Sequence, residues 1–267
     1  MGEPRTYPNG VPSWVDCELA DLDAGAAFYG GLFGWSFESV APDYRIATVD
    51  GQDVAALGAG ERARWNTYIA ADDTDAAAAQ VRTAGGQVTR EPVDAGPGGQ
   101  WAECVDPGGA VFRLWQARRR LGAQLVNAPG AWNFSNLQVP DPAAALPFYA
   151  AVFGWVGGQV PGAGLMVRVP GYGAHLAATS DPDIYQRQAN APEGFADVIA
   201  GFEPAGVEPH WHVILSVADR DASAETVQKL GGTVVSTAQN MWTRSAVVRD
   251  SQGAEFSISQ FTPPDGF

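Results

Sequence analysis

The segment Phe28-Tyr-Gly-Gly-Leu-Phe-Gly-Trp35 returns 120 positions later as Phe148-Tyr-Ala-Ala-Val-Phe-Gly-Trp155, and this duplication limits what the chain can fold into more than any other feature. Asp72-Asp-Thr-Asp75, with an Ala-rich run and Gly85-Gly86 after it, returns 146 positions later as Ala218-Asp-Arg-Asp221, another Ala-rich run and Gly231-Gly232. Asp106-Pro-Gly-Gly-Ala-Val-Phe112 returns 144 positions later as Asp250-Ser-Gln-Gly-Ala-Glu-Phe256. Three matches in one order describe a duplicated domain. The offset grows from 120 to 146, so the second copy carries about 26 extra residues between Trp155 and Ala218.

Each copy is itself double. Trp14 to Leu19 alternates like a strand, Asp21 opens a helix through Phe28-Tyr29, and Gly34 closes it. Tyr44–Val49 and Val54–Leu57 form a hairpin turned by Asp50-Gly51. The pattern then restarts with a strand over Asn66–Ala71 and a helix over Asp75–Ala84. Strands follow at Gln87–Thr89, Trp101–Val105 and Ala110–Gln116, the last two joined by the Asp106-Pro-Gly-Gly turn. The pattern is βαβββ repeated four times, in an α+β chain of two tandem domains: residues 1–120 and 121–267, with an insertion near 180–209 and a linker over 117–130. The insertion holds Ile184, Tyr185, Phe195, Val198, Ile199 and Phe202, which is apolar enough for a lid over one cup or a short helix patching the domain–domain seam.

The 267 residues are 46% apolar, enough for two cores. A net charge of −14 repels nucleic acid and anionic membranes. No apolar run approaches the roughly 18 residues of a membrane span. The opening Met-Gly-Glu-Pro-Arg-Thr lacks the apolar core of an export signal. With two cysteines, Cys17 and Cys104, the expectation is free thiols in a bacterial cytoplasm.

A strand, then Asp-x₆-Phe-Tyr-x₃-Phe-Gly-Trp, then Asp-Asp-x-Asp with an Ala-rich helix and Gly-Gly, then Asp-Pro-x-Gly before a last strand, resembles the vicinal oxygen chelate superfamily. This superfamily includes glyoxalase I, extradiol dioxygenases and bleomycin-resistance proteins. Nearly the whole chain takes part, twice, and it is especially like two-domain actinobacterial glyoxalase-like proteins labelled hydroxylases. The resemblance implies that each domain pairs two βαβββ units into a cup-shaped mixed sheet around a small ligand. It also implies metal ligands on the first and last strands of each unit. Those positions here are Trp14, Asn66 and Arg113 in the first domain, and Phe134, His212 and Ser257 in the second. An arginine repels a divalent cation, so no metal is expected. If one were bound, its ligands would be His175, taken as the fourth-strand counterpart of Asp53, with His212 and Glu255.

Strand alternation then names the cup faces. The first presents Trp14, Asp16, Glu18, Asn66, Tyr68, Arg113 and Trp115. Arg113 is placed to pair with Asp16 or Glu18, either fixing the strands or serving a ligand. The second presents Phe134, Asn136, Gln138, His210, His212, Ser216, Glu255, Ser257 and Ser259. His212 with Glu255 is a candidate acid–base couple. Trp14, Trp115 and Trp242 suit stacking on a flat ligand, while Trp35 and Trp155 belong to the core. No phosphate loop, nucleophile elbow or paired Cys-x-x-Cys is present.

These features predict a metal-independent, cofactor-free tailoring enzyme of lyase, cyclase or isomerase type. It would dehydrate, cyclise or isomerise an aromatic polyketide-like intermediate. His212, Glu255, Asp16, Tyr68 and Arg113 are its candidate catalytic groups, in a monomer or homodimer. The competing readings are a sequestering resistance protein and a metal-dependent glyoxalase or dioxygenase using the second domain.

Overall fold

Four aspartates set where the long helices begin. In the computed structural model, which describes residues 4–160, 163–206 and 208–263, Asp21, Asp73, Asp141 and Asp219 are their N-caps. Each side chain accepts a backbone N–H of the first turn, which satisfies a donor the helix leaves open. Met1, Gly2 and Glu3, read above for a leader, lie outside the described residues.

The first repeat is β1 (Pro12–Leu19), α1 (Leu22–Phe33), β2 (Ser36–Ala41), β3 (Tyr44–Val49) and β4 (Gln52–Ala59). The second is β5 (Arg64–Ala70), α2 (Thr74–Thr83), β6 (Gln87–Asp94), β7 (Gly99–Val105) and β8 (Val111–Ala117). The third is β9 (Trp132–Val139), α3 (Pro142–Phe153), β10 (Val156–Val160), β11 (Gly164–Arg168) and β12 (Val198–Pro204), with α4 (Tyr172–Ala178) and α5 (Ile184–Arg187) inserted before β12. The fourth is β13 (His210–Ser216), α6 (Arg220–Lys229), β14 (Thr233–Gln239), β15 (Thr243–Arg249) and β16 (Glu255–Phe261). Two open, mixed, eight-stranded sheets result, ordered β2-β3-β4-β1-β5-β8-β7-β6 and β10-β11-β12-β9-β13-β16-β15-β14. Within each repeat the first and fourth strands run parallel, as β1 with β4 and β9 with β12.

Two details correct the sequence reading. The edge strand β2, which the βαβββ plan requires but no residues mark, lies at Ser36–Ala41, mostly exposed and without a buried face to imprint a pattern. The insertion expected near 180–209 occupies 169–197 instead. Val198, Ile199 and Phe202, counted as part of it, form β12, and Phe202 is fully buried in the core.

Packing delimits two compact units. One comprises the residues up to Ser13, Thr67–Gly122 and Ser135–Trp211, and so holds the second and third repeats. The other comprises Trp14–Asn66, Ala123–Phe134 and the residues from His212 on, and so holds the first and fourth. In the first unit α2 packs on α3, and Tyr149 is stacked on Trp155 at 4.9 Å and meets Trp211 edge-on at 5.6 Å. In the second α1 packs on α6, and Tyr29 is stacked on Trp35 at 5.5 Å and meets Trp65 edge-on at 5.5 Å.

The same polar bond runs through both cores. The Tyr29 hydroxyl donates to Asp250 at 2.9 Å and accepts the Trp65 indole N–H at 3.1 Å. The Tyr149 hydroxyl donates to Asp106 at 2.9 Å and accepts the Trp211 indole N–H at 3.0 Å. The other oxygen of each aspartate accepts the backbone N–H four residues on, Ala254 or Ala110, at 2.9 Å.

Tyr29→Phe or Tyr149→Phe leaves a buried carboxylate oxygen short of a donor. Each substitution is expected to lower unfolding free energy by about 1–3 kcal/mol, read from urea midpoints; an unchanged midpoint would contradict the role given to this bond. Burial also pushes the Cys17 thiol and the Tyr29 and Tyr149 phenols well up, and the Cys104 thiol to about 12. The unfolded chain ionises first, near the ordinary 9.0 for thiols and 10.0 for phenols. Stability contributed by these groups is therefore complete below pH about 9 and is lost as pH rises through the folded-state values. Denaturation midpoints should fall steadily above pH about 9, and neither thiol should react with a disulfide reagent until the chain unfolds.

Candidate functional site

β1 turns Trp14, Asp16 and Glu18 to one face, opposite the core-facing Val15, Cys17 and Leu19. Asp16 is 1% exposed. Asn66, on the adjoining β5, donates its Nδ2–H to Asp16 Oδ1 at 2.8 Å. Tyr44, on β3, donates its hydroxyl to Asp16 Oδ2 at 3.0 Å and accepts the Trp14 indole N–H at 3.0 Å. β4 lies between β3 and β1, and small residues there let the phenol cross. Tyr44 stands opposite Gly58, where a Cβ would lie 3.3 Å from the ring, and Asp16 opposite Ala56. Glu18 is paired with Arg64 at 2.8 Å.

In the other compact unit, Arg113 on β8 is flanked in register by Tyr68 of β5 and Glu103 of β7. It is 4% exposed, donates to Tyr68 Oη at 2.9 Å and to Glu103 Oε2 at 3.0 Å, and lies 4.9 Å from the centre of the Trp101 ring. Glu103 was missed as its partner because the antiparallel register that brings them opposite is a tertiary fact. Trp115, two residues on, donates its indole N–H to the carbonyl of Arg120 at 2.8 Å. It borders a shallow pocket of about 200 Å³ together with Tyr7, Ser13, Asp72, Gln116 and Leu121.

On β13, His212 is 4% exposed and its Nε2 is 2.8 Å from Ser257 Oγ on β16. Glu255 begins β16 and is paired with Arg249 at 3.0 Å, so His212 and Glu255 are bonded to different partners. His210 is half-buried, with Nδ1 2.8 Å from the carbonyl of Glu208. Ser216 accepts from Asn133 at 3.1 Å, and Ser259 is buried on β16. Phe134 is half-buried on β9. Trp242 lies in the β14–β15 turn, where its backbone N–H donates to Asn240 at 2.7 Å.

His175 is not on a fourth strand. It lies in α4, with Nε2 3.1 Å from Thr6 Oγ1, and its ring stacks on Tyr172. The counterpart of Asp53 is Val198: Asp53 precedes Ala56, opposite Asp16, by three residues, as Val198 precedes Gly201 next to Phe202. The same misplacement hid Glu203 on β12, which is held by Asn136 and Gln138. The run Val198–Pro204, ending six residues before β13, was the available signal.

These groups make a poor donor set for a metal ion. Trp14 and Arg113 carry N–H donors only, Phe134 has no donor atom, Asn66 could offer only its neutral amide oxygen, and the Ser257 hydroxyl is bonded to His212. Among the described residues no three His, Cys, Asp or Glu side chains form a metal-holding group. Of the expected ligand positions only His212 carries a strong divalent-ion ligand, and one imidazole does not make a site.

The fold and these strand-borne sites define the class. The chain belongs to the glyoxalase-like domain family, which matches residues 14–115 and 134–259. It is similar to the glyoxylase-labelled protein CFP32 of Mycobacterium tuberculosis, at 36% identity over 98% of this chain and 99% of that one. It is also similar to the anthracycline biosynthesis protein DnrV of Streptomyces peucetius, at 31% identity over 94% of each. Among solved structures, an Mn(II)-bound glyoxalase from Novosphingobium aromaticivorans shares the fold, with TM-score 0.61 and 17% identity over 98% of this chain and 85% of that one. So does the 2,3-dioxygenase LapB from Pseudomonas sp. KL28, with TM-score 0.59 and 13% identity over 97% and 96%. No helix among the described residues is long and apolar enough to cross a membrane.

Elemental analysis of protein purified without an affinity tag should find no stoichiometric zinc, iron, manganese or nickel. A full equivalent of any of them, with activity lost to a chelator, would overturn the donor-set argument.

Proposed function

We propose that the chain is a metal-independent tailoring enzyme for an aromatic, oxygen-rich natural-product intermediate, working by acid–base chemistry through Asp16. The observation that carries this reading is the hydrogen-bonded line Trp14–Tyr44–Asp16, closed on its far side by Asn66. An indole N–H only donates, so the Tyr44 hydroxyl proton is directed to Asp16. Tyr44 is half-buried where Asp16 is enclosed, and the phenol is proposed as the end a substrate reaches. As a substrate C–H or O–H gives its proton to Tyr44 Oη, Tyr44 gives its own to Asp16 Oδ2. The electron pair left on the substrate expels a hydroxyl, which departs as water with the returned proton, or attacks a neighbouring carbonyl to close a ring, the carbonyl oxygen then taking the returned proton as a hydroxyl. Such steps need orientation and one proton relay.

The family relatives named for anthracycline biosynthesis support a tailoring role and a flat polycyclic substrate. Arg113 with Tyr68, and His212 with Ser257 or Glu255, are proposed as further groups for anchoring or proton transfer. Trp14, Trp115 and Phe134 are proposed as ring contacts.

The test is to incubate the protein with candidate polyketide intermediates and follow product by mass and chirality. Asp16→Asn should lower turnover roughly a hundredfold or more under saturating ligand while binding persists. Tyr44→Phe should act in the same direction, with His212→Ala and Glu255→Ala compared alongside. If every ligand that binds is released unchanged, the protein sequesters a metabolite and the enzyme reading fails.

A further inference from the structure

A second carboxylate, outside the proposed relay, is built into the fold with more care than a surface glutamate needs. Glu203 is half-buried on β12, opposite Gln138 of β9. Asn136 donates Nδ2–H to Glu203 Oε1 at 2.6 Å, and Gln138 donates Nε2–H to Oε2 at 3.3 Å. Asn136 is itself oriented, because its Oδ1 accepts the backbone N–H of Gly201 at 2.9 Å. A Cβ at position 201 would stand 3.0 Å from that oxygen, so the glycine leaves room for the amide.

Two amides therefore hold the carboxylate and, among the described residues, no cation does. Glu18, Glu103 and Glu255 are partly buried and each has an arginine, Arg64, Arg113 or Arg249. Among the described residues no arginine, lysine or histidine pairs with Glu203. Removing a carboxylate from water without a counter-charge is costly, and neutral amides offset that cost only in part.

In the duplicated plan the two carboxylates stand at non-equivalent positions. Asn136 follows Asp16 by 120 positions and occupies its place in β9. By register, Glu203 takes the place of Gly58, which lies opposite Glu18 as Glu203 lies opposite Gln138. In the first sheet the carboxylate, Asp16, comes from the first strand and takes its amide from β5, whereas in the second Glu203 comes from the fourth strand and takes both amides from the first. A metal ion does not suit this cradle, because both amides aim N–H groups at the carboxylate and add no oxygen ligand. The half-buried Met166 stands opposite Gly201 on the neighbouring β11.

We propose that Glu203, oriented by Asn136 and Gln138, is the anionic anchor of a second ligand site that takes a small organic ammonium with an apolar body. An ammonium supplies both the missing charge and N–H donors for the free lone pairs, and the net charge of −14 draws cations towards the chain. The inference does not rest on the acid–base reading.

The experiment titrates the full chain at neutral pH and low salt with benzylamine, and separately with the uncharged benzyl alcohol. The side-chain amide signals of Asn136 and Gln138 are followed by NMR. Benzylamine should shift both signals saturably, and benzyl alcohol should not. Glu203→Gln should weaken benzylamine by about tenfold or more, and added salt should weaken it in the wild type. Glu61→Gln, at an exposed site, should leave it unchanged. Equal shifts from both probes, no shift from benzylamine, or unchanged affinity in a folded Glu203→Gln variant would each overturn the proposal.

Discussion

A buried tyrosine hydroxyl bonded to a buried aspartate is the interaction on which each compact unit depends. Tyr29 belongs to the first repeat and Asp250 to the fourth; Tyr149 belongs to the third and Asp106 to the second. The helix-end motif of one repeat is therefore tied to the turn motif of another. Neither group is tolerable alone in an apolar core, since an unpaired phenol or carboxylate forfeits its hydration. Together with the tryptophan that donates into each hydroxyl, they make a core that accepts one partner and one register. The aspartate also shapes its own turn through the backbone N–H it accepts, so the turn and the core contact are linked by one side chain.

With the strands held this way, chemistry depends on which side chains the small residues of the fourth strands let through. Between β3 and β1, Ala56 and Gly58 leave a path over which Tyr44 reaches Asp16. Between β11 and β9, Gly201 leaves room for the Asn136 amide, and the carboxylate comes from β12 itself. The duplicated scaffold thus carries two differently assembled anionic centres, one enclosed under a phenol and one half-buried and, among the described residues, without a cation. Arginines neutralise the other partly buried glutamates, and Arg113 also fills the space between two aromatic rings.

Much of the architecture was legible in the residues because it is written in local chemistry. Helix starts follow from capping aspartates, the Asp50-Gly51 hairpin from turn preference, and the buried strands from alternation. The strand β2 was illegible because it buries too little to leave a period. The place of β12 was illegible because α4 and α5 separate it from β11, so counting along the chain put His175 where the register puts Val198.

The sequence by itself determined the duplicated βαβββ plan, the residues that face the sheets, and the misfit of Trp14, Arg113 and Phe134 to metal ligation, since each follows from side-chain type and short-range spacing. Only the tertiary structure decided which of those residues meet. Tyr44 with Asp16, Glu103 with Arg113, Ser257 with His212 and Asn136 with Glu203 are pairs across neighbouring or next-nearest strands. Partnership across a sheet is set by register and by the volume of the residues in between, and neither quantity is carried by the spacing of residues along one chain segment.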